Sequence, residues 1–92
     1  MTVRGPLRGQ GALCAHILAD LPEYFGLEES NAAYARAAET LPSLVGAVDG
    51  RDAGLLLLKR TSGVAMELHL IAVLRELQGV GLGGALVRAA EA

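Results

Sequence analysis

The sequence predicts an α+β fold in which two helices precede an antiparallel three-stranded meander, and a last helix opens from a glycine-rich turn. Three observations predict it. Apolar residues recur at helical spacing in the first forty positions and fall into short runs after them. Asp49-Gly50 separates two of those runs, a strong short-range sign of a hairpin. Gly79, Gly81, Gly83 and Gly84 stand between the last run and a terminal stretch of helical periodicity.

Residues 1–10 contain Gly5, Pro6 and Gly9 without sustained alternation, so a mobile arm or a weak edge strand is expected there. Leu13, Cys14, Ile17, Leu18 and Leu21 mark a first amphipathic helix that Pro22 stops. A second helix begins at Glu28-Glu29-Ser30-Asn31, where carboxylates suit the positive end of the helix dipole, and runs through an Ala-rich stretch to Glu39 before Pro42. Leu44 to Val48 and Ala53 to Lys59 are the hairpin strands. Thr61-Ser62-Gly63 turns into a third strand from about Ala65 to Val73, and the last helix carries Ala85, Leu86, Ala89 and Ala90. No repeat or linker divides the chain, so residues 1–92 are expected to be one domain.

Composition narrows the function classes. The chain has 92 residues, 52% hydrophobic and 20% charged, which describes a soluble globular domain whose small size makes its stability marginal. A formal net charge of -2 and the lack of any basic run argue against nucleic-acid binding. Leu55-Leu56-Leu57-Leu58 is too short to span a bilayer and no secretory signal segment opens the sequence, so no membrane association and a cytoplasmic location are expected. The single Cys14 fits a reducing compartment and reads as a small core residue, and His16 reads as a surface residue. No set of metal-ligating residues assembles around them, so no metal is expected.

Chemistry concentrates between Glu67 and Leu86. A strand runs into Gln78-Gly79-Val80-Gly81-Leu82-Gly83-Gly84, and a helix opens directly behind. Glycines there let the backbone approach a ligand closely, and the N–H groups at a helix start favour an anion, so the segment reads as a diphosphate cradle. A P-loop would need a Gly-Lys pair at the helix start, and no Lys follows Lys59. A dinucleotide fingerprint would need an acidic residue about twenty positions further on, beyond the last residue. The bland alternative is that the glycines only permit tight packing of helix on strand.

Gln78-Gly79-Val80-Gly81-Leu82-Gly83 resembles the Q/R-x-x-G-x-G/A signature of the GNAT superfamily of N-acetyltransferases, with Ile71-Ala72-Val73 similar to the end of its preceding strand and Leu86 in the usual apolar position of its following helix. Leu18-Ala19-Asp20-Leu21-Pro22-Glu23-Tyr24-Phe25-Gly26 resembles a Leu-Pro-aromatic-Phe-Gly element of a small bacterial branch. The resemblance runs from about Cys14 to Ala92 and implies a partial acyl-CoA N-acyltransferase fold. It implies that Ile71, Ala72 and Val73 flank the thioester and pantetheine of acetyl-CoA, and that Gln78, Gly79, Val80, Gly81, Leu82 and Gly83 hold the pyrophosphate. It also implies Glu67 as a general base toward the amine substrate, at the position of a strand glutamate in the histone acetyltransferase branch.

Strict alternation places Glu67, His69, Ile71 and Val73 on one face, with Glu67 roughly 13 Å from Ile71, so a water would have to relay the proton. His69 is the other candidate base, since histidine is the residue type that changes charge near neutral pH. Each carries a structural alternative: Glu67 as a solvated carboxylate or a partner of Arg60, His69 as a packed strand residue.

Complete members of the superfamily continue past the cofactor-loop helix with a strand, a helix that often supplies a tyrosine acid, and further strands, none of which is in this sequence. The expectation is therefore either a homodimer or a missing C-terminal portion, because an unpaired strand edge recruits another chain. No basic residue lies between Gln78 and Gly84, which leaves Arg75 and Arg88 as the nearest cations. Two functions follow: an N-acetyltransferase acting on a small-molecule or peptide amine, or a non-catalytic module that binds CoA or a protein partner. Glu23, Glu28, Glu29 and Glu39 hint at a cationic acceptor, against the plainer reading of a solvated face.

Overall fold

The computed structural model describes residues 1–63 and 65–91. In chain order the elements are β1 (Thr2–Leu7), α1 (Gly11–Ala19), α2 (Glu28–Thr40), β2 (Ser43–Val48), β3 (Arg51–Arg60), β4 (Met66–Val73) and α3 (Leu82–Glu91), with a single 3₁₀ turn at Arg75–Leu77 between the last two. The strands form one antiparallel sheet in the order β1-β2-β3-β4. The meander is present as β2-β3-β4, and the expected three-stranded sheet gains a fourth member because residues 2–7 pair with β2 as an edge strand. An edge tolerates Pro6, which has no N–H to donate, and the β1–β2 register shifts between Arg4 and Leu7 around it.

The β2–β3 hairpin closes on Asp49 (φ 52°) and Gly50 (φ 78°), two consecutive left-handed residues. Such a tight turn follows the right-handed twist of the flanking strands, which is why an Asp-Gly pair is placed there. Helix α1 starts without a side-chain cap of its own; Glu39, near the end of α2, reaches over so that its Oε2 accepts from the Gly11 backbone N–H at 2.7 Å. A Cβ on Gly11 would lie 2.6 Å from that oxygen, so the absence of a side chain lets the two helices meet.

Leu55, Leu56 and Leu57 are consecutive and all fully buried, which a strand achieves only when both its faces are covered. On one face α3 lies across Gly46 and Gly54, which stand opposite each other on β2 and β3. A Cβ at Gly46 would come within 2.7 Å of Leu82 Cδ1, and one at Gly54 within 3.0 Å of Leu82 Cδ2 and 3.1 Å of Leu86 Cδ1. The paired glycines therefore form the groove that receives α3. The α1–α2 pair covers the opposite face, contributing Cys14, Ile17, Leu18 and Ala38 to the core. Cys14 is fully buried, and its removal from water pushes the thiol up to about 11, the behaviour of an inert core residue.

Strand β4 departs from strict alternation. Leu57 pairs with Leu70 and Leu58 with Leu68, so β4 holds one extra residue at His69. Residues directly opposite on neighbouring strands share a face, and Glu67 pairs with Lys59 on the face of Leu57 and Leu70. The expectation of one face for Glu67, His69, Ile71 and Val73 is corrected by this bulge: Glu67 lies on the face away from Ile71 and Val73. The bulge turns the His69 ring onto Tyr34 of α2, with centroids 5.6 Å apart.

Candidate functional site

A cleft of 440 Å³ opens along the outer edge of β4. Leu21, Tyr24 and Phe25, from the connector between α1 and α2, form one wall; Ile71 to Val73, Gln78, Gly79 and Gly83 form the other. The sequence elements expected to act together are thus brought to one place, although the connector wall was not itself assigned a role from the sequence.

The strand edge is open because of its hydrogen-bond phase. The Leu74 N–H donates to Ala53 O at 2.8 Å, so by antiparallel alternation Ala72 also turns its polar groups toward β3, while those of Ile71 and Val73 turn outward. β4 is the last strand of the sheet, and among the described residues no strand meets that outer side. Gln78 Nε2 donates to Val73 O at 3.0 Å, tying the loop to the strand end. This leaves the N–H groups of Ile71 and Val73 and the carbonyl of Ile71 directed at the cleft.

Beyond Gln78 the backbone turns through Gly79 (φ 88°) and Gly81 (φ 93°), a region that residues with a Cβ rarely enter. A Cβ on Gly79 would meet nothing within 4 Å, and one on Gly81 only the Met1 Cε at 3.9 Å. Packing of helix on strand therefore does not account for these two glycines; the conformation of the turn does. Ala85 N donates to Gly81 O at 3.0 Å as the first bond of α3, which leaves the N–H groups of Leu82, Gly83 and Gly84 without intrahelical partners. A concave turn of this kind ahead of a helix is suited to a diphosphate.

Individual candidates fare differently. Gln78, Gly79 and Gly83 line the cleft, and Val80 and Gly81 are exposed at its loop. The Leu82 side chain is buried between the sheet glycines, so only its backbone faces the site. Of the two cations nearest the loop, Arg75 is committed elsewhere. Its backbone N–H donates to Asp20 Oδ2 at 2.7 Å, and its guanidinium bonds Asp20 O at 3.3 Å and pairs with Glu23. Hydrogen bonding to Arg75 holds the Glu23 carboxyl below its ordinary range. Arg88 instead folds back along α3, its guanidinium 3.2 Å from where a Cβ of Gly84 would sit, which brings a positive charge beside the first turn.

Glu67 is exposed and takes part in none of the ion pairs found among the described residues; Arg60, its alternative partner, donates to Gly63 O. His69 is half-buried against Tyr34, whose ring in turn meets Phe25 at 6.3 Å. Tyr34 escaped the sequence reading because nothing in its spacing announces an approach to β4.

Comparison with solved structures places this geometry. An IAA acetyltransferase from Bacillus cereus superposes with a TM-score of 0.70 at 26% identity, covering 98% of this chain and 55% of that one. The chain has the GNAT acetyltransferase fold. A GNAT-family acetyltransferase from Brucella melitensis, solved in complex with acetyl-CoA, gives a TM-score of 0.72 at 22% identity over 98% of this chain and 65% of its own. An N-acetyltransferase from Rhodopseudomonas palustris gives 0.65 at 22% identity over 98% and 62%. This chain thus spans between about half and two thirds of the length of these three similar structures. No protein-family model matches it, and no curated protein matches it by sequence.

Proposed function

We propose that this chain holds acetyl-CoA and presents its acetyl group to an amine, as the cofactor half of an N-acetyltransferase. One observation carries the reading: an unpaired strand edge at Ile71 and Val73 and a left-handed glycine turn at Gly79 and Gly81 converge on a single cleft. The residues fit the co-substrate. The edge would pair with the amide-bearing pantetheine arm as a further strand would, and the turn with Arg88 would receive the diphosphate.

Transfer forms a bond from the amine nitrogen to the acetyl carbon while the carbon–sulfur bond breaks and the sulfur leaves as thiolate. A backbone N–H at the β4 edge stabilises the oxygen that gains charge, and a base receives the proton that the nitrogen sheds. Glu67 acting through water and His69 are the two bases available on β4. His69 is the nearer to the cleft along the strand, two residues before Ile71.

Thermal unfolding with and without CoA and acetyl-CoA tests the reading, because a ligand that binds only the native state raises its stability. The expected outcome is a rise in Tm with either ligand that Gly81→Val abolishes, since a β-branched residue resists a φ of 93°. No shift at millimolar ligand would reject the cofactor role. A shift without release of free thiol from acetyl-CoA in the presence of amines would favour a non-catalytic CoA-binding module.

A further inference from the structure

We propose that Arg75 is a positioning residue for the cofactor: without touching it, this side chain holds the α1–α2 connector in place as the wall that faces the β4 edge. The role rests on the acetyl-CoA reading of that cleft and deepens it. Leu21, Tyr24 and Phe25 form the connector wall, and Arg75 is not among the lining residues. It borders instead a separate cleft of 290 Å³, shared with His16, Arg51 and Glu76. Whatever Arg75 does for the cofactor is therefore done through the connector.

The connector is a compact turn with one packed end. The Tyr24 and Phe25 N–H groups both donate to Leu21 O, at 3.1 and 2.9 Å, so residues 21–25 are tied into one unit. Leu21 is buried in the core whereas Tyr24 is 72% exposed, so packing fixes the start of the turn and does little for the wall beyond it. Asn31 Nδ2 donates to Phe25 O at 2.6 Å, which ties the other end to α2. None of these bonds reaches the opposite wall of the cleft.

Arg75 supplies the bonds that do. Among the described residues, every hydrogen bond between residues 20–25 and residues 66–84 comes from Arg75: its backbone N–H donates to Asp20 Oδ2 at 2.7 Å, and its guanidinium donates to Asp20 O at 3.3 Å and pairs with Glu23. Arg75 stands two residues after Val73 and three before Gln78, whose Nε2 in turn bonds Val73 O. Strand end, glycine turn and connector are thus joined at one point. Only the guanidinium bonds depend on the side chain, because every residue except proline offers a backbone N–H.

A wall already in place need not be ordered when the ligand arrives, and apparent affinity falls in proportion to the fraction of molecules in which the wall is in place. Loosening the connector therefore lowers affinity for CoA without removing any contact to it.

Isothermal titration of CoA into the wild-type protein and into variants whose melting shows them folded tests the proposal. Arg75→Ala is expected to weaken CoA roughly 3- to 10-fold, the reach of one exposed ion pair with one hydrogen bond, and Arg75→Lys, which keeps a charge opposite Glu23, to recover part of the loss. Glu23→Ala should also weaken CoA, yet combined with Arg75→Ala it should lose little more than Arg75→Ala alone, because the two act as a pair. In the ligand-free protein, amide hydrogen exchange at Tyr24 and Phe25 should quicken in Arg75→Ala. Unchanged CoA affinity in folded Arg75→Ala overturns the proposal while the cofactor reading stands, as do a loss that Arg75→Lys leaves whole and fully additive losses in the double variant. No binding of CoA by the wild type sinks the cofactor reading and this role with it, and quickened exchange would then mark Arg75 as a structural tie only.

Discussion

Gly46 and Gly79 show how one residue type serves two ends in this molecule. At Gly46 a side chain would strike the buried Leu82, and at Gly79 it would meet open space but could not easily hold the backbone angle. Arg75 and Arg88 are similarly divided: the first fastens the α1–α2 connector through Asp20 and Glu23, and the second lies beside the first turn of α3. Under the proposed acetyl transfer, Glu67 and His69 are the two candidate bases, and kinetics separates them. If His69 takes the proton, His69→Gln removes the limb of the pH–rate profile that reports the base and lowers kcat by about 10²- to 10⁴-fold, the usual worth of general-base catalysis. Glu67→Gln then changes the rate little. The reverse pattern would assign the base to Glu67, and a profile unchanged in both variants would remove both from the mechanism.

At the scale of elements, the single extra residue in β4 has the widest effect. It reverses the facing of everything before Leu70, carries Glu67 away from the side of Ile71, and lays His69 against Tyr34 on α2. Strand β4 thereby borders the cleft at one end and meets the helical layer at the other. The seat of α3 on the sheet depends on the Gly46–Gly54 pair, and Leu82, which fills it, is also the first residue of the helix. Gly46→Val is expected to destabilise the fold by about 1–3 kcal/mol through overpacking. Because α3 begins at the glycine turn proposed to hold the diphosphate, the same variant should also weaken CoA binding. Chemical denaturation alongside CoA titration checks both, and a stable Gly46→Val protein would show that α3 can shift without cost.

Across the whole molecule one apolar cluster joins both helical layers through the sheet, while the ion pairs sit at the surface and tie segments distant in sequence. Arg4 bonds Asp52 through both carboxylate oxygens at 2.8 and 2.9 Å, linking β1 to β3 across β2. The Arg4 hydrogen bond lowers the Asp52 carboxyl from its ordinary 3.8, as Arg75 lowers Glu23 from its ordinary 4.5. A carboxyl depressed in the folded state contributes stability above its unfolded pKa and loses it as pH falls through the folded value. Tm should therefore be flat above about pH 5 and fall as the pH drops below 4, by a small amount because the pairs are solvent-exposed. Arg4→Ala and Arg75→Ala should flatten part of that fall, and added salt should do the same. An identical acid profile in both variants would show that other groups govern it.

Much of this was legible in the sequence because it depends on local chemistry. Asp49-Gly50 allows little but a tight hairpin, Pro22 and Pro42 bound the helices, and Gly79 and Gly81 allow the turn that opens α3. The two readings left open for residues 1–10 could not be decided locally, since an edge strand containing Pro6 exists only when β2 is there to receive it. The bulge at His69 was equally hidden: alternation is a property of one strand, whereas register is settled between two by the packing of both faces. What the sequence determined by itself was where the last strand gives way to a glycine turn and a helix. Tertiary structure alone decided which arginine stays beside it and which aromatic rings wall the cleft, because those depend on contacts between residues tens of positions apart.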